Sequence, residues 1–437
     1  MRVATRRSLQ RTATRICRLP KLGLVLWPLW GTQAIAAETE GADISPSGMR
    51  SSGRWLGERG PFDPRPLRGP VLGDGLLDAE YFDAKNRLWV EKGITYGGYV
   101  SVNAQWGSES SPSHSMSESV LLMSWEPLRR NNGAGRLVFG FAHDHTLGRQ
   151  TTRKFADRQG LVETPDDLDT DPDETFTTLG LLHWEQEQWT GPESGWGYRA
   201  GQIYAPAYFG AARYLDDDRR YFMARPLAAA AGAQWVGSND IGLGANGIVW
   251  RGPWYVSVAA IDGKADRKSP DFKSLADGQL LYLGEVGFER DLDGPNEAAL
   301  RFTVSHLDVD DGDNPGAGPG QSAMISAEKR FDGRWALAGR WSRSFGRLSS
   351  DYRDLYSLGA LWLVPLARED DIAGLGLFSG EPSDSTRGRE TGGELFYSLK
   401  LTQAVGVMFD FQYWSRNDDA GDRVRTRIWG LRAEFEF

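Results

Sequence analysis

Arg423-Val424-Arg425-Thr426-Arg427-Ile428-Trp429-Gly430-Leu431-Arg432-Ala433-Glu434-Phe435-Glu436-Phe437 closes the chain, and its reading decides the fold. Every second residue back from the end gives Phe437, Phe435, Ala433, Leu431 and Trp429, while the alternate set is Glu436, Glu434, Arg432, Gly430 and Ile428. A period of two with charges on one side and a greasy stripe on the other describes a strand between lipid and water. A strand buried in a soluble core would not carry three charges on one face, because an unpaired interior charge is heavily penalised.

The rest of the composition agrees. The chain has 437 residues, 11% aromatic, with 17 Trp and 53 Gly, and its mean hydropathy is −0.46. Rings, glycine and polar residues in this mixture suit strands with one wet face and aromatic girdles. No stretch satisfies a spanning helix of about 20 apolar residues; the nearest, Leu22 to Ala37, is interrupted by Pro28. Arg2, Arg6, Arg7, Arg11, Arg15, Arg18 and Lys21 precede it and Ala34-Ile35-Ala36 follows, so residues 1–36 read as a secretion signal. Its removal leaves 43 basic against 59 acidic residues, a net charge of −16 where the whole chain has −9. That acidity argues against nucleic acid, whose backbone is bound by basic residues. The single cysteine, Cys17, falls inside the signal, which leaves no disulfide or thiolate chemistry.

Residues 37–92 read as an irregular periplasmic lead segment, broken by Gly60-Pro61, Pro64, Pro66 and Gly69-Pro70. A short helix is expected within it over Leu77 to Lys92, with Gly93 as its C-terminal cap. From Gly93 to the end the chain reads as one barrel domain. Ile94, Tyr96, Gly98, Val100, Val102, Ala104 and Trp106 alternate with polar residues, and comparable segments recur near 117–126, 136–146, 174–187, 196–206, 241–250 and on to the terminus. Connections alternate in length. Those at 147–173, 262–278, 308–321, 346–354, 379–390 and 415–424 are long, whereas Arg251-Gly252, Asp291 to Glu297, Asp332-Gly333, Leu366 to Asp370 and Leu401 to Ala404 are short. Short turns belong on the periplasmic side and long loops outside. The two counts meet at sixteen strands, giving an all-β, antiparallel transmembrane barrel wide enough for an aqueous channel.

The third external loop, about Pro206 to Asp240, is too long for a turn. Tyr208, Arg213, Tyr214, Asp216, Asp217, Asp218, Arg219, Arg220, Tyr221 and Arg225 give it rings and both signs of charge. It is expected to fold inward and narrow the lumen, where sugars would stack on rings and hydrogen-bond to charged groups. Arg199, Arg301, Arg340 and Arg432, with Glu285, Glu394, Asp410 and Glu434, are the candidate lumen residues of the strands.

No metal or cofactor site is expected. His143 and His145 share a strand face without a third ligand. The run Asp166, Asp167, Asp169, Asp171, Asp173 and Glu174 lacks the glycine and closing Glu of a calcium loop, and reads as a solvated acidic loop. No nucleophile with a base and oxyanion donors stands out, so no enzyme is expected, and an outer-membrane hydrolase is the weaker alternative.

Three blocks carry a family resemblance: Glu91-Lys92-Gly93-Ile94-Thr95-Tyr96-Gly97, Gly201-Gln202-Ile203-Tyr204-Ala205-Pro206, and Glu390-Thr391-Gly392-Gly393-Glu394-Leu395-Phe396-Tyr397 running on to Gly430-Leu431-Arg432 and the terminal Phe. With these the chain resembles the carbohydrate-selective porins, the glucose-inducible porins of Gram-negative outer membranes. The resemblance implies a narrow eyelet lined by arginine and acid that passes monosaccharides and small oligosaccharides by facilitated diffusion. It also implies that Phe437 matches the signal read by the barrel-assembly machinery. The expected partners are small sugars, outer-membrane lipid, that machinery and, as an option, further copies of the chain. A general or phosphate-selective porin is the alternative, but basic residues should then dominate the lumen. Mixed signs favour a neutral polar solute.

Overall fold

The structure is a computed structural model that describes residues 72, 75 and 77–437 except 109–112, 167–174, 217–218, 234–240, 266–269, 292–293, 310–318, 347–349, 369 and 418–422. The signal at 1–36, most of the lead segment, and Asp167, Asp169, Asp171, Asp173, Glu174, Asp217 and Asp218 therefore lie outside the described residues.

Alternation becomes sixteen strands: β1 (Ile94–Gly107), β2 (His114–Arg130), β3 (Gly133–Thr146), β4 (Thr175–Gly191), β5 (Ser194–Tyr204), β6 (Ile241–Arg251), β7 (Trp254–Asp262), β8 (Leu280–Arg290), β9 (Ala298–Leu307), β10 (Gly320–Phe331), β11 (Trp335–Gly346), β12 (Tyr352–Trp362), β13 (Ile372–Pro382), β14 (Glu390–Lys400), β15 (Val405–Asn417) and β16 (Arg423–Glu436). Each pairs antiparallel with its sequence neighbours, and β16 returns to β1 to close the barrel. Closure removes every sheet edge, which is what permits a sheet to sit in a medium that offers no hydrogen bonds.

Burial is inverted relative to a soluble domain. On β9, Leu300, Phe302 and Val304 are exposed, while Arg301, Thr303 and Ser305 between them are buried. On β7, Trp254, Val256 and Val258 point out. Apolar side chains that face away from the polar interior need a lipid environment to lose contact with water. Rings gather at the margins of this belt, as in the pairs Trp335–Trp362 and Trp254–Phe288, with centroids 5.3 and 5.1 Å apart.

The short turns use left-handed backbone where the twist requires it. Asp332 and Gly333 have φ of 48° and 66°, and Arg334 N donates to Phe331 O at 3.0 Å to close the turn between them, a backbone whose twist matches the flanking strands. The seam between the first and last strands is locked by the terminus: Gly98 N donates to Phe437 O at 3.1 Å and Phe437 N to Gly98 O at 3.0 Å. A Cβ at Gly98 would lie 2.7 Å from the Phe437 ring, so the ring seats because that position has no side chain.

Helix α1 (Ala79–Lys92) precedes β1 at the short-turn end. Asp78 caps it by accepting from Tyr81 N at 3.1 Å, and Gly93 closes it with φ 69°. Arg129 holds it to the rim by donating to the carbonyls of Trp89 and Val90. At the long-loop end, α2 (Thr152–Gln159) follows β3, α3 (Arg225–Ala228) lies between β5 and β6, and α4 (Phe272–Ala276) lies between β7 and β8. Asp271 caps α4, and the backbone N–H groups of Ser274 and Lys273 hold its carboxyl below the usual carboxylate range.

Two long loops enter the barrel. The β5–β6 loop does so as expected. The β3–β4 loop, expected to stay outside as a solvated acidic segment, also turns inward over residues 151–166, and Asp166 is buried. The reason lies in its apolar residues: Phe155, Ala156, Leu161 and Val162 are buried in one cluster with Tyr214, Phe222 and Leu227 of the other loop.

Candidate solute pathway inside the barrel

Inward charges of neighbouring strands are paired. Arg199 on β5 donates from Nε to Glu185 on β4 at 2.6 Å and from Nη1 to Asn246 on β6 at 2.8 Å, and Arg136 on β3 reaches the same Glu185 at 2.9 Å. Arg301 on β9 bridges Glu289 on β8 at 2.6 Å and Glu328 on β10 at 2.8 Å. Glu185 and Arg199 stand directly opposite in register, so the alternation of the strands itself delivers the pair. Charges this deeply buried persist only when paired and hydrogen-bonded.

Wall carboxylates also hold the β5–β6 loop by its backbone. The loop starts with Tyr208, whose ring lies 4.0 Å from the Arg199 guanidinium and whose hydroxyl is 3.2 Å from His183 Nε2. Gly210 N then donates to Glu285 at 2.6 Å and Tyr214 N to Glu328 at 3.0 Å. Glu285 accepts further from Tyr255 and Thr303. Arg213 pairs with Glu297, and Asp216 accepts from Arg340 on β11.

The loop then crosses to the opposite wall. Arg219 and Arg220 reach Glu436 at 3.5 and 2.9 Å, beside Lys400 at 2.6 Å, and Arg219 also lies 4.2 Å from the Tyr99 ring. Met223 N and Ala224 N both donate to Glu394 on β14, at 2.7 and 2.9 Å. Phe222 packs over the inward glycines of β12 and β13: a Cβ at either Gly359 or Gly376 would come within 2.7 Å of its ring. Ser344 finally donates to Gly232 O at 2.7 Å.

The β3–β4 loop fills the other side. Pro165 O accepts from Gln105 on β1 at 2.9 Å and from Gln412 on β15 at 2.7 Å, and Val162 N donates to Glu390 on β14 at 3.0 Å. Asp166 meets Arg432 on β16 at 2.8 Å. The loops touch each other where Arg225 N donates to Thr164 O at 3.3 Å.

Of the strand residues singled out in the sequence, Arg199, Glu285, Arg301, Arg340, Glu394 and Arg432 are inward and buried, each bonded to a wall or loop group as described. Asp410 accepts from Gln412 Nε2 at 3.0 Å, and Glu434 is inward and buried on β16. In the loop, Arg213, Asp216, Arg219, Arg220 and Arg225 anchor to the wall or to the second loop, and Tyr214 is buried. Glu328, Glu436, Glu163 and Pro165 were not singled out. For Glu163 and Pro165 the signal is faint, the apolar Phe155, Leu161 and Val162 inside an otherwise polar loop, whereas Glu436 stands on the charged face of the last strand.

A smaller set of buried polar atoms has no hydrogen-bond partner among the described residues. Among them are Nε and Nη1 of Arg340, the hydroxyls of Ser326 and Ser342, and Tyr214 Oη of the inward loop, and on β1 Ser101 Oγ and both amide atoms of Asn103. Ser326 lies opposite Arg340 in register and Ser342 two residues further along β11. Guanidinium donors, hydroxyls and an amide together offer hydrogen bonds of both polarities.

No protein-family model matches the chain, and no curated protein does. Among solved structures, that of OprB from Pseudomonas putida at high pH is similar with a TM-score of 0.67 over 84% of this chain and 99% of that one, at 11% identity. A variant of the Rh. blastica porin matches at a TM-score of 0.44 over 79% of this chain and 100% of that one, also at 11% identity, too low to bear on the fold. The first likeness supports the sixteen-stranded porin-like barrel.

Proposed function

We propose that the protein is an outer-membrane porin that passes small hydroxylated solutes, mono- and short oligosaccharides, by passive diffusion. The observation that carries this reading is a closed sixteen-stranded barrel whose inward faces carry both signs of charge, with two long loops folded into its interior. Inward charges of opposite sign lie side by side, as in Arg199 with Glu185 and Arg301 with Glu289 and Glu328, which favours hydrogen bonding rather than net charge as the basis of selection. A sugar offers donors and acceptors to inward polar groups and C–H faces to aromatic rings. Weak, reversible contacts are what a channel needs, since a solute held tightly does not leave. Long loops on one side and short turns on the other support placing the loop end outward.

Single-channel conductance of the full chain in a planar bilayer tests the reading. Glucose titrated into the bath should block current in a saturable way, and phosphate at equal concentration should not. Block by phosphate alone would replace the sugar reading with an anion porin.

A further inference from the structure

The outward face of β16 changes character along its length. Phe435, Ala433, Leu431 and Trp429 point out within the apolar belt, and the next three outward positions toward the long-loop end are Arg427, Arg425 and Arg423, all exposed. Successive outward residues on a strand are about 6.5–7 Å apart, so three guanidinium stems span about 13 Å on one surface.

Among the described residues their register partners are neutral. Arg427 pairs in register with Tyr413, Arg425 with Ser415 and Arg423 with Asn417, and on the β1 side Ser108 Oγ accepts from Arg427 N. Arg423 donates to Ser415 Oγ at 2.8 Å, and none of the three forms an ion pair with a described residue. This contrasts with the neighbouring rim, where Arg353 and Arg389 are both bound to Glu381. Such a cluster is also unexpected on charge grounds, because the whole chain has a formal charge of −9.

The position is as telling as the charge. Immediately past Trp429, whose ring lies 4.4 Å from that of Phe411, the surface passes from the hydrocarbon belt to the depth of lipid headgroups. Guanidinium groups bind phosphate in a planar, forked geometry that ammonium groups do not reproduce.

We infer that Arg423, Arg425 and Arg427, with Trp429 beneath them, form a docking surface for the phosphate-bearing headgroup of a lipid in the outward-facing leaflet. The acyl chains would lie along the belt below, over Leu431 and Ala433. The inference rests on the proposed orientation in the outer membrane, but its test does not depend on transport.

Native mass spectrometry of the full chain, released from neutral-detergent micelles doped with diphosphorylated lipid A, counts the lipids that stay bound. The unsubstituted chain should retain the lipid, and R423Q/R425Q/R427Q should retain at least ten-fold less. Dephosphorylated lipid A and inorganic phosphate at equal concentration should both fail to bind, because neither supplies phosphate and acyl chain together. The single variant Arg425→Gln, with its milder change, should weaken retention two- to five-fold, and heat-modifiable gel mobility confirms that each variant is folded. Equal retention by the triple variant would overturn the inference. Equal retention of the dephosphorylated lipid would overturn it too. Conductance and sugar block of the triple variant should match those of the unsubstituted chain, so a failed lipid test and a failed sugar test are separate results.

Discussion

Arg340 ties the barrel wall to the inward loop. One terminal nitrogen is bound to Asp216 of the inward loop, and its other two nitrogens have no partner among the described residues. Replacing it by Ala should leave the barrel folded, since the strand pairing does not involve the side chain, yet release Asp216 and its stretch of the inward loop and so alter sugar block. Titrating glucose against the Arg340→Ala channel checks this, and an unchanged block would remove the residue from the pathway. Arg301 offers a contrast: its guanidinium is consumed by Glu289 and Glu328, and the alternation that marked it as inward carried no sign of which carboxylates would meet it.

Among elements, the strands and the loops answer to different physics. Leu395 is exposed on β14 between Phe411 and Leu375 of its neighbours. An arginine there should cost about 2–4 kcal/mol of barrel stability near the middle of the apolar band. Reversible unfolding of Leu395→Arg in lipid vesicles measures it, and normal stability would mean the two faces are reversed. The β5–β6 loop depends instead on carboxylates that accept its backbone N–H groups. Glu394→Ala leaves Met223 N and Ala224 N without their acceptor, which costs about 1–3 kcal/mol for each buried donor left unmade. The loop should then open locally while the strands stay paired, and limited proteolysis should cut near residues 217–224 faster in that variant than in the unsubstituted chain.

For the whole molecule, the lumen is set by two loops packed against each other. The cluster that joins Phe155 and Val162 of one to Tyr214, Phe222 and Leu227 of the other makes them one body inside the barrel. Replacing residues 148–173 by a short Gly-Ser turn should raise single-channel conductance several-fold without changing the strand count, because β3 and β4 remain paired from Gly133–Gln188 to His145–Thr175. Conductance equal to that of the unsubstituted chain would show that this loop does not limit the passage.

The sequence by itself determined the barrel, its sixteen strands and, where the alternation is clean, which face of a strand is apolar. Those follow from a period of two, from turn residues such as Asp332-Gly333 and from the alternation of short and long connections, all of which are local. Tertiary structure decided what the inward side chains touch. Asp166 reads as one of six solvated acids in the sequence, yet it is buried against Arg432, 266 residues away in the chain. Glu436 reads as one more polar residue of the last strand, yet it gathers Lys400, Arg219 and Arg220. Burial and pairing depend on where a loop lands after the barrel has closed, and no local pattern encodes a contact made across the lumen.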